Sequence, residues 1–307
     1  MVQSLKITIE FADETETEIF DRLMECVPSV GLQDLRVLGC SGFMDESHHS
    51  QTAFESISTC AESLEKLQLE EFKFSVTAFG RESWSSFRVL RELVLDGVCF
   101  DFIGEEEIDP FAGFPALKQL SLSSCFRHIH RDDDPLVDTA VLGVNGHQLL
   151  TLEINKPIGF SEITVSAAKL TSFTFKFEIL DSYPITEVSL DAPSLEHAAV
   201  NLKGYKDSTV DEIKENVQNG YAVLIHGLRR AESLIFKFGT TTAFWSACQL
   251  LRGRPSPFRR LKSLTLRHKE DRAVITDHHQ DVIAYFFGRS APRIYYGDRV
   301  TEVGPSV

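Results

Sequence analysis

Apolar residues return along this chain at one spacing: i, i+3 and i+5. Val2/Leu5/Ile7, Leu32/Leu35/Val37, Leu64/Leu67/Leu69, Leu90/Leu93/Leu95 and Leu117/Leu120/Leu122 meet it. So do Leu149/Leu152/Ile154, Leu170/Phe173/Phe175, Leu195/Ala198/Val200, Ala231/Leu234/Phe236 and Leu261/Leu264/Leu266. Ala291/Ile294/Tyr296 is a weaker eleventh match. The last two positions of each triplet lie two apart, so they share one face of an extended chain; the first anchors the approach. A short strand is therefore expected at each triplet. Middle positions are separated by 30, 32, 26, 27, 32, 21, 25, 36, 30 and 30 residues, a regularity that random apolar scatter would not produce. Two neighbours agree further: 163–175 (ITVSAAKLTSFTF) aligns with 188–200 (VSLDAPSLEHAAV) at an offset of 25. Each carries an extra alternating piece, predicting a second strand before the Leu-led one.

The connectors read differently. Ile19, Phe20, Leu23, Met24 and Val27 form a helical stripe, with Thr15 or Thr17 as its N-cap. Ser208 and Asp211, with Thr209 and Glu212, resemble capping boxes before Ile213, Val217, Tyr221 and Leu224. Thr276 or Asp277 opens a third helix burying Val282, Ile283, Phe286 and Phe287. The acidic stretches 101–110 and 131–146 read as loops. In PALKQLSLSSC (115–125) the triplet is closed by Cys125, completing the L-x-x-L-x-L-x-x-C pattern of a leucine-rich repeat. The fold expected is α/β: one leucine-rich-repeat solenoid, or horseshoe, over residues 1–307 with about ten irregular repeats. Its parallel β-sheet lines the concave face, and irregular helices and loops form the convex one.

Composition narrows the function classes. With 43% hydrophobic and 25% charged residues, the chain has material for an ordinary globular core. The start, MVQSLKITIEF, lacks a signal-peptide pattern, and no apolar run is long enough to span a bilayer. The six cysteines are scattered, with no C-x-x-C pair, so reduced thiols and a cytoplasmic or nuclear location are expected. A net charge of −14 argues against nucleic acid and anionic membranes as partners. That average conceals residues 226–272, where eleven Lys or Arg face three Asp or Glu, a net of +8 against −22 elsewhere.

The phrases VGLQDLRVLGC, FPALKQLSLSSC, ITEVSLDAPSLEHAAVNLKGY, LIHGLRRAESLIF and SPFRRLKSLTLRH, in that order, resemble the repeat region of plant F-box/LRR proteins of the FBD type. DVIAYFFGRSAPR resembles that family's helix after its last strand. The resemblance implies a substrate-recruiting arm of a Skp–cullin ubiquitin ligase. The family's F-box, which binds the Skp-type adaptor, has no counterpart here, since MVQSLKITIEF already lies within the repeats. On this resemblance the FBD segment is expected to be absent or curtailed after Tyr296. Adaptor binding is thus expected only through an F-box outside this chain.

On strands whose apolar pairs face inward, the intervening residues face outward. A central column runs Lys6, Arg36, Gln68, Val94, Ser121, Glu153, Thr174, Ala199, Ile235 and Thr265. From it and its flanks, Arg36, Lys66, Gln68, Glu92, Asp96, Ser121, Glu153, Lys176, His197, Lys237 and Arg267 are the candidate partner-binding residues for an unknown protein. Acids lie toward the N-terminal side of this face, while Lys176, Lys237 and Arg267 are cationic toward the other. The basic residues Arg229, Arg230, Arg252, Arg254, Arg259, Arg260 and Lys262 read as solvated connector charges, with an anionic ligand or acidic segment as the alternative. Cys40 and Cys125 read as structural thiols. His128, His130 and Asp132–Asp134 read as an exposed connector rather than a metal site, and His278 and His279 likewise. No nucleophile-elbow, P-loop, dinucleotide or zinc-protease motif is present, so neither enzyme activity nor a cofactor is expected.

Overall fold

The computed structural model describes residues 3–8, 14–26, 31–39, 56–71, 73–75, 86–101, 109–127, 140–178, 185, 187–203, 222–238, 258–268, 293–296 and 299–301. The chain is α/β and divides into two compact units, Met1–Phe160 and Ser161–Val307, each built on a mainly parallel β-sheet.

In the first unit, β1 (Ser4–Thr8), β2 (Asp34–Leu38), β3 (Lys66–Glu70), β5 (Glu92–Asp96), β7 (Gln119–Ser123) and β10 (Thr151–Asn155) lie side by side and parallel. Their register has no slip. Leu5, Leu35, Leu67, Leu93, Leu120 and Leu152 stand in one row; Ile7, Val37, Leu69, Leu95, Leu122 and Ile154 stand in the next. Apart from half-buried Leu5, all are buried. The leading Leu32, Leu64, Leu90, Leu117 and Leu149 are buried as well. Each buried leucine contributes ~1.5–3 kcal/mol of apolar burial, and a one-residue slip would expose a strand's whole set; the pattern therefore fixes the register.

The lead-ins are tied by a recurring device. The carbonyl of Gln3 accepts the N–H groups of Gln33 and Asp34, and that of Gln33 accepts those of Glu65 and Lys66. Glu65 serves Arg91 and Glu92, Arg91 serves Lys118 and Gln119, and Lys118 serves Leu150 and Thr151. Strand ends share a second device. Gly39, Glu71, Gly97 and Ser124 each donate a backbone N–H across to the last carbonyl of the next strand, at 2.7–2.8 Å. Glu71 (φ 60°), Gly97 (φ 64°), Ser124 (φ 50°) and Lys156 (φ 51°) are left-handed, which turns the chain sharply out of the sheet.

After three of these turns the chain adds short parallel strands: β4 (Lys73–Ser75), β6 (Cys99–Asp101) and β8 (Phe126–Arg127). Two or three residues are too few to show a period, and this small sheet was not foreseen. Phe100 packs edge-on to Phe111 and Phe160, with centroids 6.5 and 6.4 Å apart. The loop expected over 131–146 is corrected in part, because β9 (Val141–Asn145) occupies its end and buries Leu142 and Val144. The acidic run before it masked a short apolar strand.

Helix α1 (Glu14–Cys26) is present but differs from the reading above. It already includes Thr15 and Thr17, so neither is its cap. Phe20 and Met24 are buried, whereas Ile19 and Leu23 are 63% and 41% exposed. Among the side chains of α1 that are described, Phe20 and Met24 form the buried i, i+4 pair; Val27 lies outside the described residues.

In the second unit, β12 (Ser172–Glu178), β14 (His197–Lys203), β15 (Ser233–Phe238), β16 (Ser263–His268) and β17 (Arg293–Tyr296) are parallel. Phe173, Ala198, Leu234, Leu264 and Ile294 form one row. The weak eleventh triplet is thus a strand, and β18 (Arg299–Thr301) adds antiparallel to it. The offset of 25 reappears twice. β11 (Glu162–Ser166) pairs with β13 (Glu187–Asp191), Ile163 opposite Val188, while Ser172 pairs with His197. Phe173, Phe175 and Phe177 stack along β12, with centroids 6.2 and 6.0 Å apart. The carbonyls of Thr171, Glu196 and Glu232 repeat the double-acceptor device. Residues 222–227 are helical and lead into a 3-10 turn, Leu228–Arg230, with Leu224, Ile225 and Leu228 buried. The rest of that expected helix, and the one over 276–288, lie outside the described residues.

Candidate partner-binding face

Every candidate residue sits at an odd position of its strand, alternating with positions that are buried wherever their side chains are described, from Leu35 and Val37 in β2 to Leu264 in β16. In the first unit, Asp34, Lys66, Glu92, Gln119 and Thr151 make one row; Lys6, Arg36, Gln68, Val94, Ser121 and Glu153 make the second. Leu38, Glu70, Asp96, Ser123 and Asn155 make the third. Most are half-buried by their neighbours.

Opposite charges on this face engage one another. The Arg36 guanidinium pairs with the Glu70 carboxylate, and Gln68 Nε2 donates to the same Oε1 at 2.7 Å. Lys66 Nζ meets Glu92 Oε1 at 2.6 Å. Asn155 Nδ2 donates to Ser123 Oγ at 3.2 Å, and Ser4 Oγ to Asp34 Oδ2 at 3.2 Å. Exposed pairs of this kind are worth ~0.2–1 kcal/mol each, so their main effect is to fix side-chain positions on the face. Arg36 Nε is buried with no hydrogen-bond partner among the described residues.

The second unit carries a different set. Ser172, His197, Ser233 and Ser263 form the first row, with Ser263 Oγ donating to Ser233 Oγ at 2.9 Å. Thr174, Ala199, Ile235 and Thr265 form the second; Lys176, Asn201, Lys237 and Arg267 form the third. Lys237 is exposed and Lys176 half-buried, while Arg267 is placed by backbone register alone. Lys176, Lys237 and Arg267 thus fall in one row. Ala199 and Ile235 were visible in the central column, but their apolar character kept them from being ranked with the charged residues.

The basic segment is partly neutralised. Arg260 Nη2 and Lys262 Nζ converge on Glu232 at 2.7 and 2.5 Å. Hydrogen bonds from Lys262 and Arg260 hold that carboxyl below its ordinary range. Arg229 Nη1 donates to the His226 carbonyl at 3.3 Å, and Arg230 and Arg259 are exposed. Arg252 and Arg254 lie outside the described residues. Glu232 is the residue that sequence reasoning missed here; its place just before β15, facing the residues just before β16, was the available signal.

Three further titratable groups, Cys125, Cys60 and Asp109, are shifted by burial. Cys125 is buried, and its thiol donates at 3.5 Å to the carbonyls of Leu95 and Ser123. Burial pushes it up to about 12, which removes the thiolate that nucleophilic chemistry requires. Cys60, likewise raised by burial, donates to the Ile57 carbonyl at 3.1 Å. Asp109, raised by burial, accepts the N–H of Phe111 at 2.9 Å on Oδ1 and that of Asn145 at 3.2 Å on Oδ2. It thereby fastens the end of β9. Cys40, His128, His130, Asp132–Asp134, His278 and His279 lie outside the described residues. Among the described residues no group of three or more His, Cys, Asp or Glu is arranged to hold a metal, and no helix is long and apolar enough to cross a membrane. No protein-family model matches the chain, and no significant match was found among curated proteins.

Proposed function

We propose that the chain is a protein-binding module of leucine-rich repeats, acting as the substrate-recruiting region of a plant F-box/LRR-type ubiquitin-ligase subunit. The observation that supports this most is the unslipped register. Equivalent residues from steps of 25 to 36 positions stand side by side within each unit, so side chains far apart in sequence form continuous rows. Such rows suit recognition of another protein, whose specificity is set by many small contacts. Acid–base chemistry calls instead for an enclosed, desolvating pocket, and we read the chain as a binding protein. Proximity labelling in the native tissue, followed by binding of the purified partner, tests it. Capture of a protein that binds the purified chain, together with a ligase scaffold in the same labelled set, is the expected outcome. A reproducible partner with no ligase component would favour a stand-alone scaffold or inhibitor. No purified partner binding the chain would remove the reading.

A further inference from the structure

We infer that the outward face of β12, β14, β15 and β16 docks an acidic protein segment carrying an aliphatic anchor; this rests on the protein-binding reading above. Three rows cross these strands in register. Ser172, His197, Ser233 and Ser263 supply hydroxyl and imidazole groups, and Lys176, Asn201, Lys237 and Arg267 supply cations and an amide. Between them runs Thr174, Ala199, Ile235 and Thr265, in which Ala199 is the smallest side chain and Ile235 a half-buried aliphatic one. None of these twelve positions is acidic. The one acid on these strands, Glu178, is in register with Lys203, and Glu232 is committed to Arg260 and Lys262.

The four strands span ~14 Å, which about four or five residues of an extended segment cross. Carboxylates on one side of such a segment meet the cation row, while an aliphatic side chain beneath it covers Ala199 and Ile235. Nucleic acid fits less well. The chain carries a net charge of −14, and among the described residues the only aromatic in register with the middle row is Tyr295 at its end, where bases would need a row of stacking faces.

The test is fluorescence anisotropy with the full chain and a labelled peptide of about twelve residues, Asp/Glu-rich with one central Leu. A Lys-for-acid version of the peptide and a single-stranded DNA of equal charge are the controls. The acidic peptide should bind, and Lys237→Glu with Arg267→Glu should weaken it at least ~10-fold at low salt, where charge contacts are least screened. Ile235→Asp should weaken it as well. Arg88→Glu with Lys118→Glu, the same charge change at exposed sites in the first unit, should leave it within about twofold. If the glutamate pair fails to fold by circular dichroism, Lys237→Gln with Arg267→Gln replaces it. No binding of the acidic peptide, indifference to the Lys237/Arg267 pair, or tighter binding of DNA would each overturn the inference. A purified partner whose binding ignores that pair would sink this inference while leaving the protein-binding reading intact.

Discussion

At the residue scale, the left-handed corners at Glu71, Gly97 and Ser124 make a sharp comparison possible. Gly97 occupies its corner at no steric cost, whereas Glu71 and Ser124 adopt the same positive φ with a Cβ. Ser124→Gly and Glu71→Gly should therefore each raise stability, by ~0.5–1 kcal/mol, and Gly97→Ala should lower it by about 1 kcal/mol. Urea denaturation of the three variants checks the order; a destabilised Ser124→Gly would contradict it. Cys125 gives a pH prediction. Its folded thiol is raised from 9.0 to about 12, so the contribution is fully present below pH 9 and is lost as pH rises toward 12, where the unfolded chain sheds the proton first. Cys125→Ser should reduce the alkaline fall in stability. In thiol labelling at neutral pH, exposed Cys26 should react at once and Cys125 only upon unfolding.

At the scale of elements, α1 separates pattern from packing. Met24→Ala should cost ~2–4 kcal/mol, while Leu23→Ala, one residue away on an exposed face, should stay within ~0.5 kcal/mol. Comparable losses in thermal unfolding would mean that both faces of the helix are buried. The sequence showed a stripe of five apolar residues, Ile19, Phe20, Leu23, Met24 and Val27, and could not say which side of it would be covered, because that depends on what packs against it. Strands were more legible. The i, i+3, i+5 spacing located Leu35, Leu67, Leu93, Leu120 and Leu152 in their rows, since a period of two admits only one inward set. The short strands β4, β6, β8 and β9 were not legible, being too brief for a period or hidden behind acidic residues. The candidate face was readable as a roster of outward positions. Its pairing was not, because Arg36 with Glu70 and Lys66 with Glu92 join residues 34 and 26 apart that only the register brings together.

At the scale of the whole molecule, charge is divided against its average. The net of −14 coexists with a cationic row on the second unit's sheet. Charge reversal of Lys176, Lys237 and Arg267 together should weaken a captured protein partner at low salt, and the difference should shrink as salt approaches ~1 M, where the screening length is ~3 Å. A salt-independent difference would point to lost packing instead. The double-acceptor carbonyls carry a last consequence. Gln3, Gln33, Glu65, Arg91 and Lys118 present the same joint to whatever follows, and the register is indifferent to whether 26 or 32 residues intervene. Chain length is thus a free variable of this architecture and phase is not. Genes of this kind can lose or copy a whole unit of sequence, cut at matching points, and leave every remaining joint with a chemically equivalent partner. A cut that removed or added a single residue within a strand would turn the rest of that strand inside out.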